Sequence, residues 1–268
     1  MTQWRVERLA PTLGARITGL NLASPLSADE IETLRRLLDE HHVLALPGQA
    51  LTPDRHVEIG TWFGAPYLHP YLTPSPDHPA ILDVRKEAHE TEVFGGEHWH
   101  ADITFTDPPA AVSLLYAVDI PPSGGDTLFA DQHLAFETLP TDLRELARSL
   151  DAVHTYPGMR EDDASATHPV VRVHPRTNRP ALYVNPAFVH RFDRQTEAES
   201  RRVLGLLFEH QVRPEFQLRL SWGAGQLTVW DNRSVLHYAM NDHHGFRRHL
   251  QRVTAIEVST PPTEDACR

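Results

Sequence analysis

Cysteine is almost missing from this chain of 268 residues, with only Cys267 present. A lone cysteine closes no internal disulfide and builds no thiolate metal site, a pattern that suits a reducing cytoplasm. Long apolar stretches are missing too: no run of roughly 18 apolar residues occurs, so no membrane-spanning helix is expected. The opening residues, Met1-Thr2-Gln3-Trp4-Arg5, lack the apolar block of a secretory signal, and a cytoplasmic location without membrane attachment is the expectation. Positive charge is in deficit, 25 Lys and Arg against 36 Asp and Glu, giving a formal net charge of −11. Such a balance repels phosphate backbones and argues against nucleic acid as a partner. No internal repeat or low-complexity tract is visible.

What is present is ordinary globular usage, 40% hydrophobic and 23% charged residues, enough to bury a sizeable core. The length predicts a single catalytic domain over residues 1–258, with 259–268 as a flexible tail. Twenty-two prolines spread along the chain argue against a helical bundle.

Ser27 and Glu30 are spaced as a capping box, and Ile31, Leu34, Leu37 and Leu38 follow on one helical face. Val43-Leu44-Ala45-Leu46 reads as a buried strand stopped by Pro47-Gly48. A second helix is expected from Thr52, with Pro53 in its first turn, to about Trp62. Thr196 and Glu199 form another capping box, opening a helix to about His210 with Val203, Leu206 and Leu207 as its core face. Elsewhere, short strand-like runs are broken by Pro, Gly, Asp and Asn: Val112 to Val118, Ala181 to Val184, Gln226 to Trp230 and Val253 to Val258. The fold class is therefore mainly β with flanking helices (α+β), consistent with a double-stranded β-helix, or jelly roll.

In Glu97-His98-Trp99-His100-Ala101-Asp102, an extended backbone sends residues 98, 100 and 102 to one face, where a histidine and a carboxylate two apart can grip one cation. A His-x-Asp pair can equally be a hydrogen-bonded surface dipeptide. An iron(II) centre that must also bind a chelating co-substrate and dioxygen needs two histidines and one carboxylate on one face. His237, beyond the strand Leu227 to Trp230 and a turn at Asp231-Asn232-Arg233, is the candidate third ligand. A zinc hydrolase using His98, His100 and Asp102 or His237 is the competing reading.

Several stretches in order, Leu13 to Gly19, Phe94 to Phe105, Gly124-Gly125-Asp126-Thr127-Leu128, Tyr183-Val184-Asn185 and Trp230 through Arg252, make the chain similar to the TauD/TfdA (taurine dioxygenase) family of Fe(II)/2-oxoglutarate-dependent dioxygenases. The likeness runs from about Leu13 to Val258. It implies His100, Asp102 and His237 as iron ligands, with 2-oxoglutarate and O2 as co-substrates. It also implies oxidative decarboxylation to succinate and CO2 coupled to oxidation of a substrate C–H bond. The distal carboxylate of 2-oxoglutarate, costly to bury unpaired, would meet the planar fork of Arg248 with help from Thr127. Arg252, an even number of residues further on, would contact co-substrate or a substrate anion.

By the same resemblance His69 and Phe188 line the substrate pocket. Leu72 and Gly96 stand where the taurine enzyme has Tyr and Asn, which removes polar groups that hold a small zwitterion. The connection between Tyr156 and His168 is shorter than its family counterpart, suggesting a reduced lid. The expected substrate is a small anionic molecule: an alkyl sulfate, sulfonate, aryloxy acid or natural-product intermediate. The resemblance also suggests a homo-oligomer, and a non-catalytic iron/2-oxoglutarate sensor stands as a further alternative.

Overall fold

Ser27 opens the first helix, Ala28–His41, as its spacing from Glu30 predicts: the Ser27 hydroxyl accepts the Glu30 amide while the Glu30 carboxylate accepts the Ser27 amide. This computed structural model describes residues 4–69, 71–92, 98–156, 158 and 164–256. The expected tail at 259–268 and the last two residues of the expected strand Val253 to Val258 lie outside them.

The architecture is mainly β with few helices. The largest sheet runs in the order Arg5–Arg8, Ala15–Thr18, Val43–Leu46, Leu227–Asp231, Ala110–Asp119, Arg248–Ile256, and Ala65–Pro66, with Leu82–Lys86 also paired to Arg248–Ile256. A second sheet places Thr127–Asp131 between Gln217–Leu220 and Val235–Ala239. Val43–Leu46 has no exposed residue because both its faces are covered. Leu44 and Leu46 join Leu34, Leu38 and Ile59 beneath the helices. Val43 and Ala45 point the other way, into a core shared with Phe129, Leu218 and Val235 of the second sheet. One sheet thus separates a helix layer from a sheet layer.

The four expected strands form, with shifted limits: Ala110–Asp119, Pro180–Leu182, Leu227–Asp231 and Arg248–Ile256. Pro53–Thr61 and Glu197–His210 form as helices capped by Thr52 and Thr196. One assignment needs correcting. Leu206 is 47% exposed, and the buried stripe of Glu197–His210 is Ser200, Leu204 and Leu207, with Val203 packed at its margin. Residues 200, 204 and 207 keep helical phase, whereas position 206 is turned about 100° away from 207. Helices Gln132–Glu137 and Thr141–Arg148 were not expected; the first is capped by the Asp131 carboxylate, which accepts the amides of His133 and Leu134.

Candidate active site

The chain around His100 and Asp102 is not the regular strand expected. His100 makes a single two-bond bridge to His237, its amide donating to the His237 carbonyl at 3.0 Å and its carbonyl accepting the His237 amide at 2.7 Å. The backbone then turns at Asp102. That bridge sets the two imidazoles side by side, ring centroids 4.1 Å apart. His98 is exposed and engages His100 through its carbonyl, so the His98-His100-Asp102 zinc cluster does not form.

His100, Asp102 and His237 are all buried, with one potential ligand atom from each within 4.8 Å of the others. The Nε2 atoms of His100 and His237 both lie 3.9 Å from an Asp102 oxygen. Metal–ligand bonds of about 2 Å leave neighbouring donors roughly 3 Å apart, so a small contraction around a divalent ion suffices. The His98 carbonyl lies 2.8 Å from His100 Nδ1, which assigns the ring proton there and frees Nε2 as a ligand. Burial lowers both histidines, His237 to about 3, with His100 as a further cause, so both are neutral and able to ligate. Burial opposes ionisation of Asp102, yet Arg252, His237, His100 and the Ser113 hydroxyl together hold its carboxyl below the usual range.

Two residues that sequence reasoning missed brace Asp102. Ser113 donates to Oδ2 at 2.7 Å, and Asn232 donates to Ser113 Oγ at 2.9 Å while its Oδ1 accepts the Asp102 amide and the Trp230 indole. A serine inside the apolar run Ala110 to Leu115 was the available signal. Arg252 donates to Asp102 Oδ1 at 2.7 Å and also lines a cavity with His69, Leu72 and Ile103.

At the other end, Arg248 is buried and forms no ion pair among the described residues. Its Nε donates to the Gly125 carbonyl at 3.0 Å, and its guanidinium carbon lies 5.8 Å from the Trp222 ring. The Trp222 indole donates to Thr127 Oγ1 at 3.0 Å, linking the two expected co-substrate residues through a third that the sequence reading missed. Burial pushes Arg248 down to about 10, partly offset by Asp126 and Asp242, so it is still a cation near neutrality. Gly125 has φ +68, and a Cβ there would sit 3.0 Å from Arg248 Cδ; the left-handed backbone and this close approach both favour glycine.

The expected substrate residues converge except for Gly96, which lies outside the described residues, as does most of the Tyr156 to His168 connection. The Phe188 ring is 6.1 Å from His100 and 5.3 Å from Phe105. His69 meets Phe105 and Tyr156 edge-on at 6.2 and 5.9 Å. Asn185 fixes the corner, its Oδ1 accepting the Phe188 amide and its Nδ2 donating to Thr104. Burial, reinforced by Arg252, lowers His69 to about 4. Its Nδ1 accepts the Tyr71 amide at 3.2 Å, so the neutral ring carries its proton on Nε2 and can donate.

A buried His-carboxylate-His face in a fold that also buries an arginine suits a non-haem iron oxygenase that uses a dicarboxylate co-substrate. The chain belongs to the taurine catabolism dioxygenase TauD, TfdA family, whose sequence model matches residues 5–254. It is 33% identical to an alkylsulfatase of Acinetobacter baylyi, covering 96% of this chain and 87% of the relative. It is 32% identical to an alpha-ketoglutarate-dependent sulfate ester dioxygenase of Pseudomonas putida, covering 93% and 88% respectively. A solved taurine dioxygenase from Burkholderia xenovorans superposes with a TM-score of 0.85 at 35% identity, covering 95% of this chain and 90% of that one. The protein is an oxidoreductase dependent on iron(II), 2-oxoglutarate and dioxygen. No zinc hydrolase is among these relatives. Among the described residues no helix is long and apolar enough to cross a membrane.

Proposed function

We propose that His100, Asp102 and His237 hold iron(II), that Arg248 and Thr127 hold 2-oxoglutarate, and that the enzyme hydroxylates a C–H bond of an anionic substrate with an apolar body. An alkyl sulfate ester is the best fit. When bound, iron and co-substrate supply the oxidising power, with succinate and CO2 released; the protein's own residues orient the substrate and exclude water.

The observation that carries the substrate reading is the pairing of two anion-seeking groups with an apolar wall. Arg252 and His69, whose neutral ring carries its proton on Nε2, line a cavity together with Leu72 and Ile103, and Arg252 ties that cavity to Asp102. Phe105, Tyr156 and Phe188 pack behind His69 and His100. A zwitterion such as taurine would bring an ammonium to this wall without a partner for it, a costly desolvation. The two named sulfate ester relatives favour the same class.

The core shared by the two facing sheets supports a double-stranded β-helix, and we read residues 1–258 as its single catalytic domain. The test is substrate-dependent succinate formation with Fe(II), across linear alkyl sulfates, alkyl sulfonates including taurine, and aryloxyacetates. Alkyl sulfates should give the highest kcat/KM, with aldehyde and sulfate appearing in step with succinate. Preference for taurine would overturn the substrate reading; absence of succinate formation with every substrate class, with Fe(II) and 2-oxoglutarate still bound, would favour a sensor.

A further inference from the structure

Lys86 is 2% exposed, and its Nζ has no hydrogen-bond partner among the described residues. Burying an ammonium unpaired is among the more expensive arrangements a protein can keep, and it calls for a reason. The reason lies across the strand pair. Lys86 is the register partner of Arg248 where Leu82–Lys86 runs antiparallel to Arg248–Ile256, so the two side chains leave the sheet on the same face as neighbours. His243, itself buried, feels both cations: burial and then the charges of Lys86 and Arg248 hold it below its ordinary range, partly offset by Asp242 and the Met240 backbone. The nearby carboxylates are committed elsewhere, since Asp126 and Asp242 both accept from Arg219.

We propose that Lys86 is a second cationic residue of the co-substrate end, acting with Arg248 to select a 2-oxo acid that carries a distal carboxylate. The inference rests on the reading of Arg248 given above. Nζ is out of contact with solvent, so its charge reaches the carboxylate through the low-dielectric interior, where attraction over several ångströms is far stronger than in water. The flexible four-carbon stem also allows a closer approach once the anion arrives. The incoming carboxylate compensates two buried cations, while an uncharged terminus compensates neither.

The experiment is calorimetric binding to the Mn(II)-loaded protein of 2-oxoglutarate and of 2-oxovalerate, a monocarboxylate of the same chain length. Lys86→Met should weaken 2-oxoglutarate about tenfold or more, a cost of about 1.4 kcal/mol, and leave 2-oxovalerate unchanged. Its ligand-free melting temperature should hold or rise, because a buried Nζ without a hydrogen-bond partner among the described residues has gone. Lys86→Arg should retain most of the preference. Equal weakening of both ligands, or no weakening of either, would overturn the proposal. Arg248→Met separates the two levels: if it abolishes the preference while Lys86→Met does not, only the role of Lys86 falls. If neither variant alters the preference, the assignment of Arg248 falls with it.

Discussion

Ser113 donates its hydroxyl hydrogen to Oδ2 of Asp102 at 2.7 Å from the middle of a strand whose other inward residues are apolar. Asn232 holds both ends of this contact, through Ser113 Oγ and the Asp102 amide. Losing the hydroxyl frees the carboxylate to rotate and leaves Asn232 short of an acceptor. Ser113→Ala should therefore weaken metal binding by roughly 10- to 100-fold, read by anaerobic titration with Co(II), with much smaller changes in KM for 2-oxoglutarate.

Metal should stabilise the fold through the same three side chains. A divalent ion at a hundredfold excess over its Kd adds about 2.7 kcal/mol to stability. Adding Mn(II) should raise the melting temperature of the wild-type protein, and His237→Ala should abolish most of that rise. A variant that keeps the full shift would place the ion elsewhere.

Gly125→Ala tests the approach of Arg248 to the Gly125 carbonyl. The new Cβ would lie 3.0 Å from Cδ and 3.1 Å from Nε of Arg248, at φ +68. We expect about 1–3 kcal/mol of destabilisation in chemical denaturation. A rise in KM for 2-oxoglutarate should exceed any fall in kcat.

Acid stability should follow buried histidines remote from the metal ligands. Burial lowers His56 from 6.5 to about 4, only partly offset by the Leu114 backbone. Between these two values the unfolded chain binds a proton that the folded protein does not, so stability is full above 6.5 and declines as pH falls toward 4. His56→Leu should flatten the pH dependence of urea midpoints in that window; an unchanged slope would exclude His56 as a contributor.

Leu204 and Leu206 provide the sharpest check on packing. Leu204→Ala should cost about 2–5 kcal/mol and Leu206→Ala less than about 0.5 kcal/mol, by urea denaturation.

Much of this protein is written locally. Capping by Ser27, Thr52 and Thr196 depends on residues three apart, so these helix starts could be read directly from the chain. The buried strand at Val43–Leu46 announced itself by apolar content. His100, Asp102, Arg248 and Arg252 could be singled out as candidates by residue type, spacing and family likeness.

Tertiary structure decided what those residues touch. Pairing residue 100 with 237 is a long-range bridge that no local spacing encodes, and it replaced the strand expected through His98. Ser113 and Asn232, far apart in sequence, meet only because their strands are neighbours in one sheet. Leu206 faces solvent because the neighbours that cover Leu204 and Leu207 come from other segments, which hydrophobicity alone does not reveal. The placement of buried Lys86 next to Arg248 likewise arises from sheet register. Local chemistry selected the candidate groups; long-range pairing set their distances, their burial and therefore their charge states.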